Sequence, residues 1–277
     1  MKLEKEPTFN LMQNGAIAPF CITFMITIKT EKEIEMMRIA GRILAEIGQQ
    51  VKEKVTVGIS GLELDSFAHN LILKNNTEPA FLDYGGFPTV SCISINNMVV
   101  HGVPDGKPLK KGDLLCFDLG LKYQGYYADF AFSTLVGKPE NKDSEKIRLI
   151  KTTQKALKIA IANAKVGNTF GDIGNAVQRF VEYQGFNVVR DLCGHGIGKQ
   201  LHEDPKICNY GKRNTGDVIK EGMVFCIEPM VTMGSWKLRQ SEDGFGYQTA
   251  DNSLACHFEH TIAILNNKAE ILTKIKI

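Results

Sequence analysis

The stretch Lys111-Gly112-Asp113-Leu114-Leu115-Cys116-Phe117-Asp118 recurs 110 residues later as Glu221-Gly222-Met223-Val224-Phe225-Cys226-Ile227-Glu228. In each copy a charged residue and a glycine lead into an apolar run that ends on a carboxylate. A second pair keeps nearly the same separation: Val57-Gly58-Ile59-Ser60-Gly61-Leu62-Glu63-Leu64 matches Val166-Gly167-Asn168-Thr169-Phe170-Gly171-Asp172-Ile173 at a distance of 109 residues. Two matches at one spacing predict an internal duplication. The repeated unit reads as helix, helix, then strands, so the expected fold is α+β. Two halves, about residues 25–140 and 141–277, pack around a pseudo-two-fold axis with a composite antiparallel sheet covered by helices on one side. Asp118 and Glu228 then occupy equivalent strand positions and face each other across that axis.

The intervening segments agree. Thr30-Glu31-Lys32-Glu33 is a capping box, followed at helical spacing by Ile34, Met37, Ile43, Leu44, Ile47 and Val51. Ser60 and Thr169 open further helices, and Ser144 to Ala164 is helical. Pro79 to Pro88 reads as loop. Strands are expected at Val90 to Ile95, Val99 to His101, Leu114 to Leu121, Tyr126 to Val136, Asn187 to Arg190, Val224 to Glu228 and Cys256 to Ile264, with a last one near Ile271. Residues 25–277 form a single domain in this reading, and residues 1–24 are an extension. The apolar part of that extension is interrupted by Pro19 and is too short to cross a bilayer.

Composition excludes several classes. In 277 residues, 43% are hydrophobic and 23% charged, as in an ordinary soluble domain. The 33 basic and 31 acidic side chains give a net charge of +2, so no global field favours nucleic acid or an anionic membrane. Seven cysteines (21, 92, 116, 193, 208, 226 and 256) are scattered without a C-x-x-C pair, which points to buried thiols in a reducing compartment, the cytoplasm.

The chemistry concentrates where carboxylates end apolar runs. Burying Asp118 or Glu228 costs several kcal/mol unless the group is paired or binds a cation. A second acid follows each: Asp129 on the next strand, and Glu259 within Cys256-His257-Phe258-Glu259-His260. Four acids aimed at one axis without matching arginines require positive charge, which a pair of divalent cations supplies. The glycine-punctuated stretch Cys193-Gly194-His195-Gly196-Ile197-Gly198-Lys199-Gln200-Leu201-His202 reads as a loop whose glycines provide backbone freedom or close approach. By itself, Gly-His-Gly is as often a turn with a satisfied imidazole as a ligand site. Beside the four acids, His195 becomes the nitrogen donor of a mixed set suited to Mn, Fe, Co or Zn.

These residues, together with Cys92-Ile93-Ser94-Ile95-Asn96, Val100-His101-Gly102-Val103-Pro104, Ile227-Glu228-Pro229-Met230 and Glu259-His260-Thr261, resemble the type I methionine aminopeptidases from Glu33 to the C-terminus. The resemblance implies the pita-bread fold and two divalent metal ions held by Asp118, Asp129, His195, Glu228 and Glu259. It implies removal of the initiator methionine from nascent chains with a small second residue, by attack of a metal-bridging hydroxide. Glu228 would shuttle the proton, His202 would stabilise the developing oxygen charge, and His101 would bond the scissile nitrogen. On residues alone, His101 reads first as a structural histidine at a strand end, and Cys92 reads equally as core. The methionine pocket implied is Tyr84, Phe87, Cys92, Leu201, Met230 and Phe245; Leu201 and Phe245 depart from the aromatic residue and the tryptophan frequent in the family. The resemblance also implies a monomer, transient ribosome contact, and no membrane or sequence-specific nucleic-acid binding; Lys110-Lys111 and Lys212-Arg213 are candidates to assist that contact, though such charge runs are usually solvated faces. Proline dipeptidases, aminopeptidase P and non-catalytic modules of the same fold remain the alternatives.

Overall fold

The computed structural model describes residues 26–274; the extension at 1–24 and Cys21 lie outside the described residues. Four helices form where capping and periodicity place them: α1 Glu31–Lys54, α2 Gly61–Lys74, α3 Ser144–Asn163 and α4 Phe170–Tyr183. Capping boxes at Thr30, Ser60 and Thr169 satisfy orphan N–H groups at the starts of α1, α2 and α4.

Eight strands carry the main sheet: β1 Ser91–Ile95, β2 Leu114–Tyr123, β3 Tyr126–Leu135, β4 Gly194–Gly196, β5 Glu203–Ile207, β6 Val224–Ile227, β7 Glu259–Leu265 and β8 Lys268–Ile271. The two residues Glu78–Pro79 complete nine strands, ordered 78–79, β2, β3, β7, β6, β4, β5, with β1 also on β2 and β8 also on β7. All pairings are antiparallel.

The duplication is visible in the hydrogen bonds. Gly58 N–H donates to Leu109 O at 2.9 Å and Gly167 N–H to Ile219 O at 3.1 Å. Leu109 N–H returns to Ile59 O at 2.7 Å and Ile219 N–H to Asn168 O at 2.8 Å. Bridges Ser60 to Pro108 and Thr169 to Val218 repeat the relation. The halves meet where β3 pairs β7, Glu259 opposite Ala131.

Strand alternation assigns the two faces. Phe117, Phe130, Phe132, Phe225 and Ile262 lie in the large core that also holds Leu44, Ile47, Leu157 and Val177 of the helices. Gly48 seats α1 on the sheet, since a Cβ there would lie 2.5 Å from the Phe130 ring. The opposite parity, Asp118, Asp129 and Glu259 among it, faces away from the helices. That is why β2 reads as almost continuously apolar: it is buried on both faces yet keeps one acid.

Three expectations need correction, and four strands have no counterpart among them. Gly194-His195-Gly196 is not a loop but a buried strand between β6 and β5. Neither glycine has a positive φ; what they provide is approach, because a Cβ at Gly194 would lie 2.4 Å from Cys226 O and one at Gly196 2.2 Å from Asp204 O. The 79–88 segment is not all loop, since Glu78–Pro79 pairs with β2 and Tyr84–Gly86 forms a 3-10 turn. The expected strand Cys256 to Ile264 is interrupted at Phe258, giving Ala255–His257 in a separate small sheet and β7 in the large one. Finally, β5 and the short strands Met230–Thr232, Leu238–Gln240 and Tyr247–Thr249 carry no alternation legible in sequence. Gly196→Ala is therefore expected to destabilise the protein by roughly 3 kcal/mol, because its methyl meets backbone on a paired strand. Urea unfolding checks this, and an unchanged midpoint would contradict the close-approach account.

Candidate metal centre and active site

Register brings the acids together. Asp118 and Glu259 both lie opposite Ala131, and Asp129 is two residues along β3 on the same face. Glu228 follows β6, its carbonyl held by Asn209 Nδ2 at 2.9 Å. Thr261 Oγ1 accepts from Asp129 N–H at 2.9 Å and donates to Asp129 O at 2.8 Å, locking the two halves at this row. Asp129 Oδ1 takes the Phe130 N–H at 2.9 Å, while Oδ2 lies 3.9 Å from His195 Nε2.

His195 is oriented by its own strand. Its Nδ1 lies 2.9 Å from Gly196 O. A carbonyl only accepts, so Nδ1 carries the proton and Nε2 keeps its lone pair, directed at the acids. Burial lowers its pKa and favours the neutral ring. Nε2 stands 3.9 Å from both Asp129 Oδ2 and Glu228 Oε1.

Electrostatically the cluster is unbalanced. Burial, then the neighbouring acids Asp129 and Glu228, push Asp118 well above the usual carboxylate range, and Glu259 moves the same way for the same reasons. Asp129 rises to about 8, through burial and then Glu228, and Glu228 rises to about 7 through burial. Asp118 Oδ1 and Glu259 Oε1 are buried with no hydrogen-bond partner among the described residues. Asp118, Asp129 and Glu259 can present one oxygen each within 4.8 Å of one another. Orphaned buried oxygens, mutual repulsion and an aligned imidazole lone pair are what a divalent cation would satisfy, so the donor set fits the implied metal.

Two further groups enter that sequence reasoning did not assign as ligands. His257 Nε2 is 3.4 Å from Glu228 Oε2 and 3.8 Å from Glu259 Oε2, and it too lacks a hydrogen-bond partner among the described residues. Cys226 lies close enough to His195 and Glu259 to form a donor trio. His257 and Glu259 lie two residues apart, on either side of the break at Phe258, and both reach the other acids.

A cavity of about 170 Å³ opens above the acids, lined by Phe81, Tyr84, Phe87, Cys92, His101, Asp118, Asp129, His195, Leu201, His202, Glu228, Phe245 and Glu259. A larger, more open groove of about 370 Å³ beside α3 and α4 holds no acid or imidazole. The smaller cavity has a polar floor and an apolar wall, where Phe87 and Phe245 meet edge to face at 5.4 Å between ring centroids. Phe81 belongs to that wall and was not foreseen. Cys92 is buried opposite Asp118. Met230 is elsewhere: it pairs with His257 and packs among Val99, Val100, Val189 and Ala255.

The flanking histidines are held differently. His101 has φ +56°, a left-handed conformation uncommon outside glycine, and turns out of the preceding strand toward the cavity. Gly102 permits this, as a Cβ there would lie 2.4 Å from Ile93 O. His202 Nδ1 lies 2.8 Å from Tyr84 Oη, and its ring stands 4.3 Å from that of His195. Burial, then the His195 and His101 rings, hold His202 at about 3, and burial holds His101 at about 4, so both are neutral near pH 7. Glu203 anchors the bend before β5 by accepting from Lys29 Nζ at 2.8 Å and from Gln200 N–H at 3.1 Å.

Residues 35–266 match metallopeptidase family M24. A methionine aminopeptidase of Clostridium perfringens is 45% identical over 252 residues, 91% of this chain and 100% of that protein. Among solved structures, methionine aminopeptidase from Rickettsia prowazekii superposes with a TM-score of 0.88 at 40% identity, covering 90% of this chain and all of that one. Its Thermotoga maritima counterpart gives 0.87 at 43% identity with the same coverage.

Proposed function

This chain belongs to metallopeptidase family M24, among the methionine aminopeptidases, and from that premise we infer that it removes N-terminal methionine by metal-dependent peptide hydrolysis on a pita-bread fold. The observation that carries the reading is the row of Asp118, Asp129, Glu228, Glu259 and His195 beneath an apolar-walled cavity. We assign these five as ligands of two divalent ions. The mixed oxygen and nitrogen set admits Fe, Mn, Co or Zn.

When bound, the ions supply Lewis acidity at the scissile carbonyl and favour ionisation of an attacking water. The chain's own residues do the rest. Glu228 accepts the proton of the water and delivers it to the leaving amine. The Tyr84 hydroxyl donates to Nδ1 of neutral His202, which leaves the Nε2 proton to stabilise negative charge on the carbonyl oxygen. His101, turned inward by its backbone, bonds the scissile nitrogen. Phe81, Tyr84, Phe87, Cys92, Leu201 and Phe245 receive the methionine side chain and exclude water from it. Because Leu201 and Phe245 stand where larger aromatic groups are frequent in the family, this pocket differs in shape rather than in chemistry. Met230 supports the floor from behind, through His257.

We further propose that natural substrates are nascent chains with a small second residue, which makes the ribosome a transient partner and the cytoplasm the site of action. No described helix is long and apolar enough to cross a membrane. Residues 25–277 act as one catalytic unit, supported by the large core to which both halves contribute.

The test is hydrolysis of Met-Ala-Ser against an Ala-Pro peptide by protein loaded anaerobically with Mn or Fe. Release of methionine is expected; preferential cleavage of the proline-linked peptide would assign the chain to the proline peptidases instead. Tyr84→Phe should lower kcat about tenfold, the worth of one hydrogen bond to a group acting in the transition state. An unchanged kcat would remove Tyr84 from the positioning of His202.

A further inference from the structure

Outside the metal centre, two strands bring a pair of thiols together. Gly194 on β4 lies opposite Ile207 on β5, and continuing that register one residue past the strand ends puts Cys193 opposite Cys208, whose thiols are hydrogen-bonded to each other. Directly opposed residues of antiparallel strands have Cα atoms about 4.5–5.5 Å apart, within the roughly 4.4–6.8 Å that a disulfide spans. Both thiols are reduced in this structure and neither is fully buried, whereas Cys92, Cys116, Cys226 and Cys256 are buried. β5 is the last strand of the sheet, so this pair lies at an edge rather than inside.

We propose that Cys193 and Cys208 form a reversible cross-strand disulfide site that takes low-molecular-weight disulfides as oxidant. The Cys208 sulfur attacks one sulfur of glutathione disulfide, forming a mixed disulfide and releasing one glutathione thiol. The Cys193 sulfur then attacks Cys208, closing the Sγ–Sγ bond and releasing the second. Two cysteine thiols lose two electrons and two protons, and one glutathione disulfide becomes two glutathione thiols. Cys208 is suited to the first attack: the hydrogen bond from Cys193 and the Lys206 ammonium outweigh burial and hold its thiol at about 6. Elsewhere among the described residues, burial of the four other cysteines keeps glutathione from their sulfurs.

The experiment exposes the full-length reduced protein to a graded series of glutathione disulfide and reduced glutathione, quenches with iodoacetamide, and maps peptides by mass spectrometry. The expected result is a peptide pair joined at 193 and 208, two hydrogens lighter than the separate peptides, reversed by dithiothreitol. Cys208→Ser should abolish the link and leave hydrolysis of a methionine peptide by reduced protein unchanged. Alkylation of both cysteines throughout the series, or a stable glutathione adduct on either in place of the link, would overturn the proposal.

Discussion

Glu259→Gln is expected to lower kcat/KM on an N-terminal methionine peptide about 10³-fold while raising the thermal midpoint of the metal-free protein. The two effects come from one side chain and have opposite signs. Glu259 is 2% exposed, and one of its oxygens has no hydrogen-bond partner among the described residues, so as an anion it is held against desolvation and against Asp129, Glu228 and Asp118. At 4 Å, two unit charges repel by about 4 kcal/mol at an effective dielectric constant of 20. Gln is nearly isosteric and neutral at every pH, so the apo protein no longer bears the cost of either protonating this buried carboxyl or holding it charged beside three acids. It also removes a donor that the cations need, so occupancy and turnover fall. Elemental analysis after gel filtration, kinetics and a thermal melt in chelator read the three quantities. A variant that keeps its metal and rate would take Glu259 out of the ligand set. One whose metal-free protein melts lower than the parent would show that Glu259 acts as a structural hydrogen-bonding group.

The residues that were legible in sequence share a reason: their chemistry is local or repeated. Capping boxes at Thr30, Ser60 and Thr169 involve only residues three apart, and the duplication doubles every signal, so the sequence alone places Asp118 and Glu228 at one axis. What escaped depended on long-range approach. Gly194 and Gly196 read as loop because their composition is that of a turn, although the cause is the carbonyls of Cys226 and Asp204 pressing on the strand. Met230 is placed in the pocket by the family resemblance alone. Pro229 lies between β6 and the strand Met230–Thr232, and that strand pairs with Val188 and with Ala255–His257 in a different sheet, which carries Met230 into another cluster. His257 reaches the acids although it stands in that other sheet, beyond a break at Phe258 that no hydropathy pattern marks. Tyr84 and His202 meet across 118 residues of chain, and only the fold could pair them.

The metal-free protein should melt higher at about pH 6.5 than at about pH 8.5, a window largely above the range in which the buried histidines, held at about 3 for His202 and His257 and about 4 for His101 and His260, contribute with the opposite sign. The sign follows from the direction of the shifts. Asp129 at about 8 and Glu228 at about 7 lie above their ordinary values of 3.8 and 4.5, and Asp118 and Glu259 are raised as well. Between the unfolded and the folded values, roughly pH 4 to 8, the native state holds more protons than the unfolded chain, so stability falls as pH rises. One extra proton held across two pH units amounts to about 3 kcal/mol, or about 5–10 °C for a domain of this size. Added metal should invert the trend. Ligands must be deprotonated to bind, so occupancy and the stabilisation it brings increase with pH. Melting curves with chelator and with saturating Mn, crossing as pH is raised, are the expected pair. A metal-free midpoint that climbs steadily from about pH 6.5 to 8.5 would mean that the four acids are satisfied within the protein and do not depend on a cation to be buried together.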